Sequence, residues 1–176
     1  MSTLPVDTLM FDFFDATVAA QIYDRWQHYT GVWNVNPGGQ KAVDVVAVEP
    51  NRQTAWFIEG KDFRVITNPP KRSNIGGLAQ TMAQKVRDSL DGLADAAINA
   101  QVASEKGHAT AALSMANRRV VLHLEPHTGA HTALFPSNFS ANVYQSLKQL
   151  LRTIDPNAQV LNIANTPAAG VPWTVS

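Results

Sequence analysis

The chain has no cysteine. Disulfides and thiolate metal sites are therefore excluded, leaving carboxylate, imidazole and backbone oxygen as the ordinary metal ligands. It has no net charge either: fourteen Lys and Arg balance fourteen Asp and Glu. The whole molecule thus exerts none of the long-range pull on polyanions that a strongly basic protein has. No apolar run nears the length of a membrane span, and the first residues lack the basic start and apolar stretch of a secretory signal. A soluble, cytoplasmic protein is expected. Repeats, low-complexity tracts and long linkers are missing, as are helix-turn-helix and zinc-finger signals. What remains is 176 residues with 45% apolar content, enough for one core that buries roughly two-thirds of the unfolded surface. We expect one α/β domain over 1–176, with its core at about 8–164 and an irregular tail at 165–176.

Along the chain, Phe11, Phe14, Val18, Ile22 and Trp26 recur at helical spacing and predict a first helix over 8–28, with Asp7 as N-cap. Asp15 falls inside that apolar arc, and an acid on a buried arc needs a partner. "VWNV" (32–35), "AVDVVAV" (42–48) and "TAWFIEGKDFRVI" (54–66) read as strands. The loop "TNPPKRSN" (67–74) offers Ser73 or Asn74 as a cap for a long helix to about Ala100. Ile75, Leu78, Met82, Val86, Leu90, Leu93 and Ala97 form its packing stripe. Then follow a strand at 118–125, an amphipathic helix at 138–154 and a strand at 158–164. Trp33 and Trp173 are the tryptophans with a claim to exposure.

Strands 42–48 and 54–61 are joined by "EPNRQ", too short for a crossover, so they pair as an antiparallel hairpin. A turn near Asn51 sets position 44 beside 58 or 59. Asp44 then neighbours Glu59, and on a shared face Lys61 joins them. Almost everything else in these strands is apolar, which argues for a covered, central hairpin. A lysine there can simply neutralise one acid in a partly buried ion pair. Alternatively, two close carboxylates hold a hard divalent ion, with the lysine orienting a water and offsetting phosphate charge.

Asp44, fourteen intervening residues and then "EGK" (Glu59, Gly60, Lys61), with this order of elements over 8–164, resemble the PD-(D/E)xK nuclease superfamily. Val43 stands where that superfamily has its proline. The resemblance implies a restriction-endonuclease-like fold, a central mixed sheet (αβββαβ core) flanked by helices, with an extra C-terminal helix and strand. It implies a metal-dependent nuclease that hydrolyses phosphodiester bonds, of DNA rather than RNA. Asp44, Glu59 and the Gly60 carbonyl would hold Mg2+ or Mn2+, and Lys61 would serve the attacking water. Relatives with an acid on the first helix point to Asp15. Others use a polar side chain on the helix after the motif, which here means Gln84 or its neighbour Gln80 unless both simply face solvent.

Residues 41–87 hold eight of the fourteen basic side chains against four acids. Arg64, with Lys71 and Arg72 in the following loop, is the expected nucleic-acid contact; such contacts position a backbone without reading sequence. A homodimer or a larger complex is compatible with this. Two alternatives stay open: an inactive subunit of the same fold that binds nucleic acid or assembles a complex, and an unrelated hydrolase using His123, His127 and His131 with Glu125.

Overall fold

The alternating apolar segments pair as expected for a mixed sheet. In the computed structural model, which describes residues 1–35, 39–64, 77–127 and 135–176, the strands are β1 (Ser2–Val6), β2 (Leu9–Phe13), β3 (Ala19–Ile22), β4 (Val45–Glu49), β5 (Thr54–Asp62), β6 (Asn117–Glu125), β7 (Gln159–Leu161) and β8 (Trp173–Val175). The helices are α1 (Leu78–Asn99), α2 (Ala103–Ser114) and α3 (Phe139–Leu150). Strands β3 to β7 lie in chain order in one sheet. Its first two pairings are antiparallel and its last two parallel. A second, antiparallel sheet has the order β1-β2-β8.

Strands β4 and β5 are buried on both faces because each face meets a different layer. Val46, Val48, Ala55 and Phe57 share a core with Met82, Val86 and Leu93 of α1, Ala109 of α2 and Leu147 of α3. Val45, Ala47, Trp56 and Ile58 point the other way, onto Leu9, Phe11, Phe13 and Trp173 of the small sheet. This explains why both strands read as nearly unbroken apolar runs. Phe57, Ile58 and Leu93 are fully buried, and each such side chain stabilises the fold by roughly 1.5–3 kcal/mol. The mixed α/β sheet flanked by helices matches expectation, as do the β4–β5 hairpin, α1, β6, α3 and β7. Ser73, Asn74 and Ile75 lie outside the described residues. None of the described helices is long and apolar enough to cross a membrane.

The helix expected over 8–28 is absent, and its place is taken by β2, β3 and a short 3-10 turn at Tyr23–Arg25. Leu9, Phe11 and Phe13 are buried while Met10 and Phe14 are exposed, a period of two that competes with the helical spacing over so short a stretch. Asp15 ends the run: its Oδ1 accepts the Thr17 N–H at 2.8 Å and the Thr17 hydroxyl at 2.7 Å, a local turn that stands in for helix bonds. "VWNV" is not a strand either. It lies in a π-helical turn, Tyr29–Trp33, closed by the Asn34 N–H on the Tyr29 carbonyl at 2.8 Å.

Helix α2 falls in a stretch with no expected element. Its buried face carries Glu105 and His108 beside Ala109 and Ala112, so the apolar stripe is broken by polar groups that have specific partners. Glu105 accepts the backbone N–H groups of Gln27 and His28 at 2.8 and 3.1 Å. The tail is not irregular throughout, since β8 pairs with β2, Phe13 opposite Trp173. Trp173 is buried, its ring 5.2 Å from that of Trp56, and Trp33 is half-buried.

Candidate functional site

Register sets the two acids opposite each other. Val45 pairs with Ile58, so one step further out Asp44 stands across from Glu59, on the helix-facing side where Lys61 also emerges. The Asp44 carboxylate accepts the Gly60 N–H at 2.8 Å, and its carbonyl accepts the Tyr23 N–H at 2.8 Å. Lys61 Nζ lies 2.7 Å from Glu59 Oε1. The juxtaposition of Asp44, Glu59, Gly60 and Lys61 read from the hairpin is thus the one the structure has.

Helix α1 holds this arrangement from the other side. Asp88 accepts the Lys41 N–H at 2.9 Å and Ser89 Oγ accepts the Val43 N–H at 3.0 Å, which ties down the segment entering Asp44. One turn earlier Lys85 donates to both Glu59 oxygens at 2.6 and 2.8 Å and lies 3.6 Å from Asp44 Oδ1. Sequence reasoning missed Lys85, although the signal was there. Met82, Lys85, Ser89 and Gly92 follow at spacings of three and four on the buried arc, and a charge on such an arc needs a partner. Gly92 lets the Tyr23 turn approach, since a Cβ there would collide with the Tyr23 hydroxyl and lie 2.8 Å from Trp33 Nε1.

That turn delivers Asp24 beside Asp44. Asp7, Asp24, Arg25, Asp44, Gly60 and Lys61 line an open cleft of about 100 Å3. Burial, reinforced by the Asp44 carboxylate, raises the half-buried Asp24 carboxyl above its ordinary value. Glu59 is 1% exposed. Burial and then Asp44 push its carboxyl up against the opposing pull of Lys61 and Lys85. Burial alone would lower Lys61, but Glu59 and Asp44 outweigh it and hold the ammonium above its ordinary value. The two lysines in contact thus offset, without cancelling, the cost of burying the Glu59 carboxylate.

The N-terminal hairpin forms one wall. Its two-residue tip sets Asp7 at φ 55, a left-handed conformation that aspartate tolerates. The Thr8 hydroxyl donates to Asp62 at 2.7 Å. Gly60 lies under this hairpin: a Cβ on it would sit 2.8 Å from Val6 Cγ1 and 3.4 Å from Leu9 Cδ1. Gly60→Ala should lower stability by about 1–3 kcal/mol through overpacking, read as a lower urea midpoint at unchanged slope.

Other candidates fall elsewhere. Asp15 is at the far end of the sheet, where Thr17 also bonds Asn51 at 3.0 Å, so it is not a site acid; the acids that line the cleft beside Asp44 are Asp24 and Asp7. Gln80 and Gln84 are exposed, and Gln84 donates to Asp88 at 2.5 Å, bracing the residue that holds Lys41 rather than entering the cleft. Arg64 is at the site's end of β5 but forks onto Asp62 at 2.9 and 2.7 Å. Lys71 and Arg72 lie outside the described residues. So does His131. His123 is buried and pairs with Glu125 at 2.9 Å, and His127 Nδ1 donates to the Phe63 carbonyl at 2.9 Å. The two rings are thus held by different groups.

The Arg64 fork holds Asp62 down to about 2 from the ordinary 3.8. A depressed folded-state value contributes stability above the ordinary value that is lost as pH falls through the lower one. Because Arg64 is 39% exposed, solvent screening leaves about 1 kcal/mol of that advantage. Asp62→Asn should therefore be less stable than the native chain at neutral pH, with the difference closing between about pH 4 and pH 2 in urea titrations.

The residues fit a hard divalent ion in kind. Asp44 and Glu59 already share one cation, the Lys85 ammonium. In an extended strand the N–H and C=O of one residue face the same neighbour, so the Gly60 carbonyl faces the Asp44 side as its N–H does. Among the described residues no group of three or more His, Asp or Glu side chains forms a metal-holding cluster. Two carboxylates with retained water is the number that magnesium commonly takes from protein.

The chain is similar over its whole length to a cysteine-tRNA ligase of Neisseria meningitidis serogroup A / serotype 4A, at 27% identity over 214 aligned positions. It spans 30% of that protein. No family model matches the chain, and no solved structure matches it.

Proposed function

We propose that this chain is a divalent-metal-dependent phosphodiesterase of the PD-(D/E)xK kind, with a restriction-endonuclease-like core, acting on nucleic acid. The observation that carries the reading is the register that sets Asp44 across from Glu59, with Lys61 on the same face at 2.7 Å from Glu59. Asp44, Glu59 and the Gly60 carbonyl would hold Mg2+ or Mn2+, which when bound supplies Lewis-acid polarisation of a phosphate oxygen and acidifies water.

The protein's own groups do the rest. Lys61, held as an ammonium at the cleft, would favour by its charge the hydroxide form of the attacking water and donate to the phosphate oxygens where negative charge builds. Arg25, exposed on the rim, is the accessible cation for a neighbouring phosphate, a role in which Arg64 is restrained by Asp62. The water oxygen bonds phosphorus and gives up a proton to solvent as the phosphorus-oxygen bond to the sugar breaks, and the departing sugar oxygen takes a proton from solvent. The location of the site at the carboxyl end of β5, beside a parallel neighbour, agrees with where open α/β sheets bind ligands.

A second reading is favoured by Lys85. Its ammonium already bridges the two acids, as in a closed ion-pair cluster, and such a chain would be a binding or assembly module without chemistry. One experiment separates the two. Purified protein is incubated with linear, nicked, branched and single-stranded DNA, and with tRNA because the ligase it resembles is named for that molecule, in magnesium, manganese or chelator. Cutting that requires metal supports the enzyme; binding without cutting in any metal supports the module.

A further inference from the structure

Resting on the metal-dependent reading, we infer that Lys85 is a built-in counter-cation, which occupies the metal position when the ion is absent and must be displaced for the ion to bind. Its Nζ sits 2.6 and 2.8 Å from the Glu59 oxygens and 3.6 Å from Asp44, the point on which both carboxylates converge. Lys61 is different. It approaches Glu59 Oε1 alone, from within the same strand, and lines the open cleft.

The arrangement has a physical purpose. Two carboxylates on adjacent strands, one of them 1% exposed, repel each other unless a cation lies between them. A side chain fixed on a helix supplies that cation without solvent ions. It also sets a threshold, because an incoming ion must outbid a positive charge already in place. A monovalent ion gains little over the ammonium, whereas a divalent ion brings twice the charge. The displaced ammonium has as its next carboxylate Asp24, which lines the cleft beside Asp44 and whose buried Oδ1 has no hydrogen-bond partner among the described residues. Lys85 is thus a positioning residue that tunes which ion enters and at what concentration.

The test is metal binding, not turnover. Free Mn2+ is followed by its paramagnetic resonance signal against the native chain, Lys85→Met, and Glu59→Gln in each background. Lys85→Met is expected to bind at least about tenfold more tightly than the native chain, as removal of a like charge from a shared low-dielectric site requires, with binding lost on Glu59→Gln. In the native chain Mn2+ should free the Lys85 amine, raising its acetylation by acetic anhydride severalfold by mass spectrometry; this arm decides if Lys85→Met does not fold. Glu59-dependent binding that is equal or weaker in Lys85→Met, or native Lys85 labelling unmoved by Mn2+, overturns the counter-cation while leaving the metal site standing. Absence of Glu59-dependent Mn2+ binding in every chain overturns the metal reading itself.

Discussion

Glu59→Gln is expected to lower metal-dependent cleavage by at least about 10^3-fold, some 4 kcal/mol of transition-state stabilisation. The substitution keeps the shape of a fully buried side chain but removes the group that, among the described residues, touches both lysines and faces Asp44. On the proposed reading the ion would lose one of its two carboxylates, and the surviving ammoniums would repel it. The variant also changes stability, because removing one partner of a buried ionic cluster leaves charge uncompensated. Lys61 and Lys85 have side chains 33% and 19% exposed, and Lys85 keeps Asp44 nearby, so the expected loss is about 2 kcal/mol, below the range for fully buried pairs. Circular dichroism and a urea midpoint taken alongside the cleavage assay distinguish an unfolded variant from a folded one that cannot cut.

Lys61→Met is expected to lower cleavage by about 10^2–10^4-fold while leaving Mn2+ binding equal or tighter. The split follows from position. Lys61 lines the cleft and touches one oxygen of Glu59, so it can reach a water or a phosphate without being a ligand. Lys85 does not replace it, since that ammonium reaches in from α1 and is committed to both Glu59 oxygens. Equal losses of cutting and of ion binding would instead make Lys61 part of the ion's own site. Unchanged cutting would remove it from the chemistry.

The hairpin was legible because its physics is local. A five-residue connection fixes antiparallel pairing, and pairing with a period of two fixes which side chains share a face. Asp44 opposite Glu59 therefore needed no tertiary information. The N-terminal segment was not legible for the opposite reason. Phe11, Phe14, Val18 and Ile22 fit a helix, Leu9, Phe11 and Phe13 fit a strand, and the choice is made by pairing with β1 across the tip on one side and, on the other, with β8, a partner about 160 residues away whose three-residue strand gives no signal of its own. With that helix went the case for Asp15. Asp24, a cleft acid the pattern did not point to, reaches Asp44 because β3 pairs with β4 and Gly92 admits the Tyr23 turn. Lys85 lay within reach of the pattern argument applied to Asp15, a charge on an apolar arc, and there the argument finds a real partner. Helix α2 hid because its buried face spends two positions on Glu105 and His108, which hold backbone groups from other segments.

The most direct measurement is anomalous diffraction at the manganese edge from crystals soaked in Mn2+. The account predicts one strong peak within about 2.0–2.3 Å of carboxylate oxygens from both Asp44 and Glu59 and of the Gly60 carbonyl, with Lys85 Nζ moved off Glu59. A map without a peak there, Lys85 still seated between the two acids at saturating Mn2+, would contradict it.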